Sequence, residues 1–305
     1  MMSKKRVAVS TWCTDDYREY MGIENLTNSI SYFHPEIDHH IASYTISKDE
    51  QLLLGSHTEA ARRGVGSFNM APTCLEFADD YDMVIHIDGD AVVVGDLNEM
   101  ILSDADVIGT LNNNVLGKAG ANAAITTELM KYDEENNTYI PTGGMVPTDA
   151  WLNAGIIAAN NKQFWQSWHD LNMTVCKRLK DYNMQRLPAP FGDENDTLNV
   201  VFHSGKFSTY IVDVPENNVA YNISNAWGDE PFSHWDSWKS LYMKENKVYL
   251  NNPVSGEPCQ IKILHQAGGD HASRLNREHG GFRNWLRQAV SGEVSEFIDY
   301  ISHSS

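Results

Sequence analysis

Two aspartates separated by one glycine, Asp88-Gly89-Asp90, directly follow the apolar run 83–87. Carboxylates at that spacing, in a turn leaving a buried strand, can both point at one hard cation. Oxygen ligands of this kind suit Mg²⁺ or Mn²⁺, which would bridge to phosphate oxygens of a bound nucleotide. Gly89 lets the backbone approach such a ligand closely. The same tripeptide also reads as a plain surface turn, because Asp and Gly favour turns anyway. A second acidic run, 193–196, reads as the first turn of a helix, where the dipole favours carboxylates.

The elements that must position these groups alternate along the chain. Residues 6–11 form a short β-rich run, and 22–32 read as a helix followed by an apolar run at 40–46. Residues 51–63 and 69–78 look helical, with Pro72 tolerated in the first turn of the latter. The run 83–87 then ends at Asp88. Alternating strands and helices of this length predict a mainly parallel sheet with helices on both faces, an α/β fold. Ligands of such sheets bind beyond the carboxyl ends of the strands, where Asp88 and Asp90 fall. Further on, 151–159 and 210–214 read as strands and 163–182 as a helix. The stretch 112–147, rich in Gly, Asn and Thr, reads as an insertion or flexible loop rather than core. Residues 224–243 hold Trp227, Trp235 and Trp238; with Tyr242, the last two fit helical spacing and a core face, although aromatic faces also pack against sugar rings. Residues 281–305 read as a C-terminal amphipathic helix, expected to pack on the domain.

Composition narrows the classes of partner. A chain of 305 residues with 42% hydrophobic and 21% charged residues suits one globular domain, 1–305, with insertions. The formal net charge of −18 opposes binding to nucleic acid or anionic lipid. An acidic protein that binds a diphosphate needs local positive charge, and a divalent cation supplies it. No apolar run reaches the ~20 residues of a transmembrane helix, and no signal peptide is expected. The four cysteines (Cys13, Cys74, Cys176, Cys259) show no CxxC pairing, which points to reduced thiols in a cytoplasmic setting. Glycosylation sequons begin at Asn25, Asn136, Asn172, Asn195 and Asn222; that at Asn195 falls within the acidic run 193–196, and modification there would block any ligand site built on that run, which also favours the cytoplasm.

Residues 68–97, FNMAPTCLEFADDYDMVIHIDGDAVVVGDL, resemble the corresponding stretch of the family 8 glycosyltransferases. Four more segments fall in that family's order: 7–35, 151–160 (WLNAGIIAAN), 194–199 (ENDTLN) and 263–268 (ILHQAG). The resemblance implies a GT-A (Rossmann-like) fold and retaining, metal-dependent transfer of a hexose from a nucleotide-diphosphate sugar, UDP by family expectation, to a hydroxyl acceptor. Carried over position by position, it makes Asp88, Asp90 and His265 the metal ligands. An imidazole is a sensible third ligand, since it suits Mn²⁺ better than Mg²⁺. Tyr17, in the turn with Asp15 and Asp16 after the first strand, would stack on the base, with Thr11 at the end of that strand. Arg62 or Arg63 could reach the donor phosphate or sugar. Asn153, Glu194, Asn195 and Asp196 would line the donor sugar.

Two departures stand out. Glu194 and Asn195 stand where the family has Asp and Gln, which shifts reach by one methylene. An amide at 195 would position or stabilise charge rather than attack. After Gly268 the family's Lys-Pro-Trp is absent, so Arg274 or His271 would have to meet the diphosphate. If the enzyme inverts, Glu194 or Asp196 is the natural general base. Other readings stay open: an inverting or GDP-sugar-dependent GT-A enzyme, a nucleotide-sugar or glycan-binding protein without turnover, and a sugar-1-phosphate nucleotidyltransferase. The last is disfavoured because residues 10–16 contain no glycine.

Overall fold

The computed structural model describes residues 5–13, 23–43, 70–111, 127–147, 150–181, 194–213, 217–222, 241–245, 247–251 and 257–265. In chain order the elements are β1 (Val7–Cys13), α1 (Ile23–Phe33), β2 (Asp38–Ser43), α2 (Met70–Phe77), β3 (Met83–Ile87), β4 (Ala91–Val93), α3 (Asn98–Ile101) and β5 (Val107–Leu111). There follow β6 (Glu128–Asp133), β7 (Thr138–Met145), β8 (Leu152–Ala159), α4 (Lys162–Asp181), α5 (Glu194–His203) and β9 (Thr209–Ile211). The last are β10 (Asn217–Asn222), β11 (Leu241–Lys244), β12 (Lys247–Asn251) and β13 (Pro258–His265).

The main sheet has the order β2-β1-β3-β8-β5-β9. Every strand in it runs the same way except β8, which pairs antiparallel with both β3 and β5. The fold is therefore mixed α/β with a mainly parallel central sheet, as the alternation of elements predicted. Its strands read as near-continuous apolar runs because both faces are covered. Val9, Ile85, Ile87, Ile108 and Ile156 pack with Leu26 and Ile30 of α1 on one face. Val84, Val107, Leu152 and Ile157 pack with Cys74 of α2, Trp165 and Trp168 of α4, and Val201 of α5 on the other. Period-two alternation along β3 thus sends residues 83, 85 and 87 one way and 84 the other.

A second sheet, β10-β13-β12-β11, carries the chain's late residues. Within it β12 pairs with the first half of β13, and β4 pairs with the second half along the same edge. Through β4 this sheet adjoins the end of β3.

Two expectations change. Within 112–147, the described residues form the β6–β7 hairpin rather than a loop, with Thr127, Met130 and Val146 buried. The polar, Gly-containing composition that argued for a loop belongs to a two-stranded ribbon whose second strand is mostly exposed. Tyr242 lies on β11, not on a helix, and its ring stacks on that of Tyr249, its partner across the β11–β12 ladder. The strand expected at 151–159 is present as β8, and it runs antiparallel to both neighbours, a direction that periodicity does not encode. The expected helices at 51–63 and 281–305, and the tryptophans of 224–240, lie outside the described residues.

The start of α5 is tied to β8 by side chains. Asn199, fully buried, accepts the Leu152 N–H (2.9 Å) and donates to Leu152 O (3.1 Å) and Asn195 O (2.8 Å). Its amide thus pairs both backbone polar groups of Leu152 at the start of β8. Asn199→Leu removes the partner of the buried Leu152 N–H and C=O and should cost about 2–5 kcal/mol. A urea midpoint shifted by less than that cost implies would show that the ladder is satisfied by other means.

Candidate metal centre

β3 is buried along its whole length and delivers the chain to the turn at Asp88. The Asp88 N–H donates to Gly155 O (2.8 Å), and the Ala91 N–H returns to Asp88 O (3.1 Å), closing the turn around Gly89. The chain re-enters as β4, whose Ala91 is the register partner of His265 at the end of β13. Two registers, β3 on β8 and β4 on β13, therefore bring Asp88, Asp90 and His265 together.

His265 Nε2 lies 3.3 Å from Asp88 Oδ2 and 3.2 Å from Asp90 Oδ1. One ligand atom from each of the three residues lies within 4.8 Å of the others. Asp90 and His265 are buried, while Asp88 keeps a side-chain exposure of 20%. Among the described residues, no well-directed hydrogen bond reaches Asp90 Oδ1. A buried carboxylate oxygen in that condition fits a cation ligand. The donor set, two carboxylate oxygens and one imidazole nitrogen, suits Mn²⁺ or Mg²⁺.

The charges in the metal-free cluster are unequal. Burial pushes the Asp88 carboxyl up, but hydrogen bonds from His265 and His86 outweigh it and hold Asp88 well below the usual carboxylate range. Burial raises Asp90, and His265 only partly offsets this. Burial alone would lower His265; the charge of Asp90 and the bond to Asp88 instead raise it to about 10. A proton on His265 therefore balances the two aspartates until a cation displaces it. Metal affinity should rise about tenfold per pH unit between about pH 6 and 8, as each ion competes with one proton. Titration calorimetry across that range checks this; a flat profile would remove His265 from the ligand set.

The surroundings explain how the cluster stays open. A Cβ built on Gly155 would sit 2.5 Å from Asp88 Oδ2, 2.5 Å from His265 Cε1 and 2.8 Å from Asn153 Oδ1. Only glycine fits there. Asn153, two residues earlier on the same strand, accepts the Gly155 N–H through Oδ1 (2.8 Å). His86, two residues before Asp88, contacts Asp88 Oδ1 through Nε2 at 2.9 Å.

Asn195 accepts the Ala154 N–H (2.8 Å) and donates to Glu194 Oε1 (3.0 Å), so both residues sit at the first turn of α5 against β8. Asp196 is buried and accepts from the Thr127 hydroxyl, to which Trp151 Nε1 donates (3.1 Å). Thr11 is buried at the end of β1, where its hydroxyl donates to Ile87 O (2.9 Å) and lies 2.9 Å from His39 Nε2. It ties β1 to the residue preceding Asp88. Tyr17, Arg62, Arg63, Gly268, His271 and Arg274 lie outside the described residues.

The structure thus gathers Asp88, Gly89, Asp90, Asn153 and His265, and sets Asn195 on the backbone of the same strand as Asn153. Sequence reasoning missed His86 and Gly155. Both stand two residues from a named site residue on a strand, hence on the same face, and that spacing was the available signal.

No protein-family model matches the chain, and no curated protein matches it in sequence. Among solved structures, it is similar to the bifunctional glycosyltransferase WbbM in its apo form, at 17% identity and a TM-score of 0.46, over 95% of this chain and 52% of that one. It spans about half of the WbbM chain. The galactosyltransferase LgtC, solved with donor and acceptor sugar analogs, is similar at 14% identity and a TM-score of 0.45, covering 96% of this chain and 99% of that one. A glycosyltransferase involved in glycosylation of the major capsid of PBCV-1 is similar at 10% identity and a TM-score of 0.45, over 88% and 99% of the two chains. All three of these structural neighbours are glycosyltransferases.

Proposed function

We propose that the chain is a metal-dependent GT-A glycosyltransferase that moves a hexose from a nucleotide-diphosphate sugar, with UDP as the nucleotide, to a hydroxyl acceptor with retention. The observation that carries this reading is the Asp88–Asp90–His265 cluster at the carboxyl end of β3, opposite the close-packed Gly155. A Mn²⁺ or Mg²⁺ ion bound there would supply Lewis-acid charge against the departing diphosphate. Asp88, Asp90 and His265 would hold it. In this reading Asn153 offers its amide to the donor sugar, while Asn195, fixed by the Ala154 N–H, orients the sugar and stabilises charge near the anomeric carbon. Tyr17 would stack on the base, with Arg62, Gly268 and Arg274 on the phosphates.

Of the two candidate inverting bases, Glu194 and Asp196, the environment of Asp196 speaks against the latter. Its carboxylate is buried and engaged by Thr127, which hinders the proton uptake from the acceptor that an inverting base must perform. In a front-face displacement the leaving diphosphate deprotonates the acceptor instead. A cytoplasmic setting is part of the proposal: the sequon residues Asn25 and Asn172 are buried in the folded chain. Among the described residues, no helix is long and apolar enough to cross a membrane.

The test is hydrolysis and transfer with a panel of nucleotide sugars, with Mn²⁺ and with a chelator. Activity confined to the metal-loaded protein, with the product anomer matching the donor by NMR, is the expected result. Turnover undiminished by thorough chelation would overturn the reading.

A further inference from the structure

Asp88 is held on two sides by imidazoles, and only one of them belongs to the ligand set. His265 faces Oδ2, and His86 Nε2 lies 2.9 Å from Oδ1. His86 is fully buried within β3, where Val84, Ile85 and Ile87 are its apolar neighbours along the strand. Its register partners are Ser10 on β1 and Ile157 on β8. Packing alone would favour another branched aliphatic residue there, because a buried imidazole loses hydration. Among the described residues, Nδ1 of His86 makes no hydrogen bond. An orphaned acceptor is easier to tolerate than an orphaned N–H, and a carboxylate oxygen accepts. Nε2 therefore carries the proton and donates it to Asp88.

We infer that His86 fixes Asp88 as a one-oxygen ligand and thereby tunes the centre towards small six-coordinate cations and against Ca²⁺. The inference rests on the metal centre proposed above. With Oδ1 held by the His86 N–H, Asp88 turns only Oδ2 towards Asp90 and His265. The Asp88 N–H bond to Gly155 O fixes the same residue from its backbone, so the carboxylate cannot swing to present both oxygens. Ca²⁺ accepts two-oxygen carboxylates and high coordination numbers, whereas Mn²⁺ and Mg²⁺ do well with single oxygens in a compact shell. Removing the His86 donor frees Oδ1, loosens Asp88 and makes the two-oxygen mode accessible.

The experiment measures Mn²⁺ affinity by the free-ion electron paramagnetic resonance signal, and Ca²⁺ affinity by competition. It compares wild type, His86→Phe and His86→Gln, with the melting temperature of each apo-protein as the check on folding. Gln restores an N–H donor near the position of Nε2; Phe fills the space without one. Loss of an orienting partner to a metal ligand typically costs 10–100-fold, so His86→Phe should bind Mn²⁺ more weakly by about that factor. Its Mn²⁺-over-Ca²⁺ preference should fall by at least about fivefold, and His86→Gln should recover most of both quantities. If His86→Phe does not fold, His86→Leu makes the same comparison with an aliphatic side chain of the kind that flanks the position. Unchanged Mn²⁺ affinity, equal weakening of both cations, or a loss that Gln does not restore would each overturn the inference. A wild-type chain that binds neither cation would overturn the metal centre and this inference with it. A wild type that binds Mn²⁺ beside an unaffected His86→Phe would overturn the inference alone.

Discussion

Replacing both Asp88 and Asp90 by alanine should abolish Mn²⁺ binding and reduce turnover by about three orders of magnitude or more. Metal-derived charge on a leaving diphosphate is worth several kcal/mol, and each 1.4 kcal/mol corresponds to a factor of ten. Both residues are needed because each turns one oxygen to the same imidazole nitrogen. The apo-protein should lose only about 1–3 kcal/mol, the cost of leaving the buried His86 N–H without its acceptor. Without the carboxylates His265 reverts to a neutral imidazole, so no unpaired buried charge is created. What should disappear is stabilisation by metal: an ion at about 100 times its dissociation constant adds about 2.7 kcal/mol to the wild type and nothing to the variant. Melting curves with and without Mn²⁺ read this directly. A double variant that still gains stability from Mn²⁺, or still turns over at the wild-type rate, would show that the ion binds elsewhere.

The second large effect is expected at Gly155, which donates no ligand. Gly155→Ala places a methyl group 2.5 Å from both Asp88 Oδ2 and His265 Cε1. Neither neighbour can yield easily: Asp88 is held by His86, and His265 closes a strand that is paired on both edges. The methyl group must therefore spread the cluster. A misplacement of about 1 Å at a catalytic group can cost about a hundredfold, and a loss of that order in turnover is expected. Overpacking should destabilise the fold by only about 1–3 kcal/mol. The split matters more than either number. A variant with wild-type Mn²⁺ affinity and turnover would mean that the strand shifts to make room, and that glycine is not required there.

Much of the centre was legible because local chemistry and spacing agreed. Four of the five residues before Asp88 are apolar, so a buried strand ending in two carboxylates could be read from residues 83–90 alone. The third ligand was different in kind. His265 joins the cluster through the pairing of β4 with β13, and β4 is only three residues long. No periodicity announces a strand that short, so His265 could be named only through the family resemblance. The reversal of β8 was hidden for a related reason. A strand buried on both faces has the same composition in either direction, and direction is set by neighbours far away in sequence. The β6–β7 hairpin was misread because its second strand faces outward, leaving little hydrophobic pattern to detect. His86 went unnoticed because a histidine inside an apolar run looks like an exception to packing rather than a partner for the residue two positions on.

The β4–β13 pairing also orders events in the life of each molecule. Asp88 and Asp90 emerge early in synthesis, whereas His265 arrives only after the hairpin, α4, α5 and strands β10 to β12 have been made. Contacts between such distant segments carry the largest loop-closure entropy and form late. A nascent or refolding chain should thus acquire most of its helices and central strands before it can hold a cation tightly. Once in place, the ion stitches an early segment to a late one. Metal capture then reports that the whole route between them has been completed.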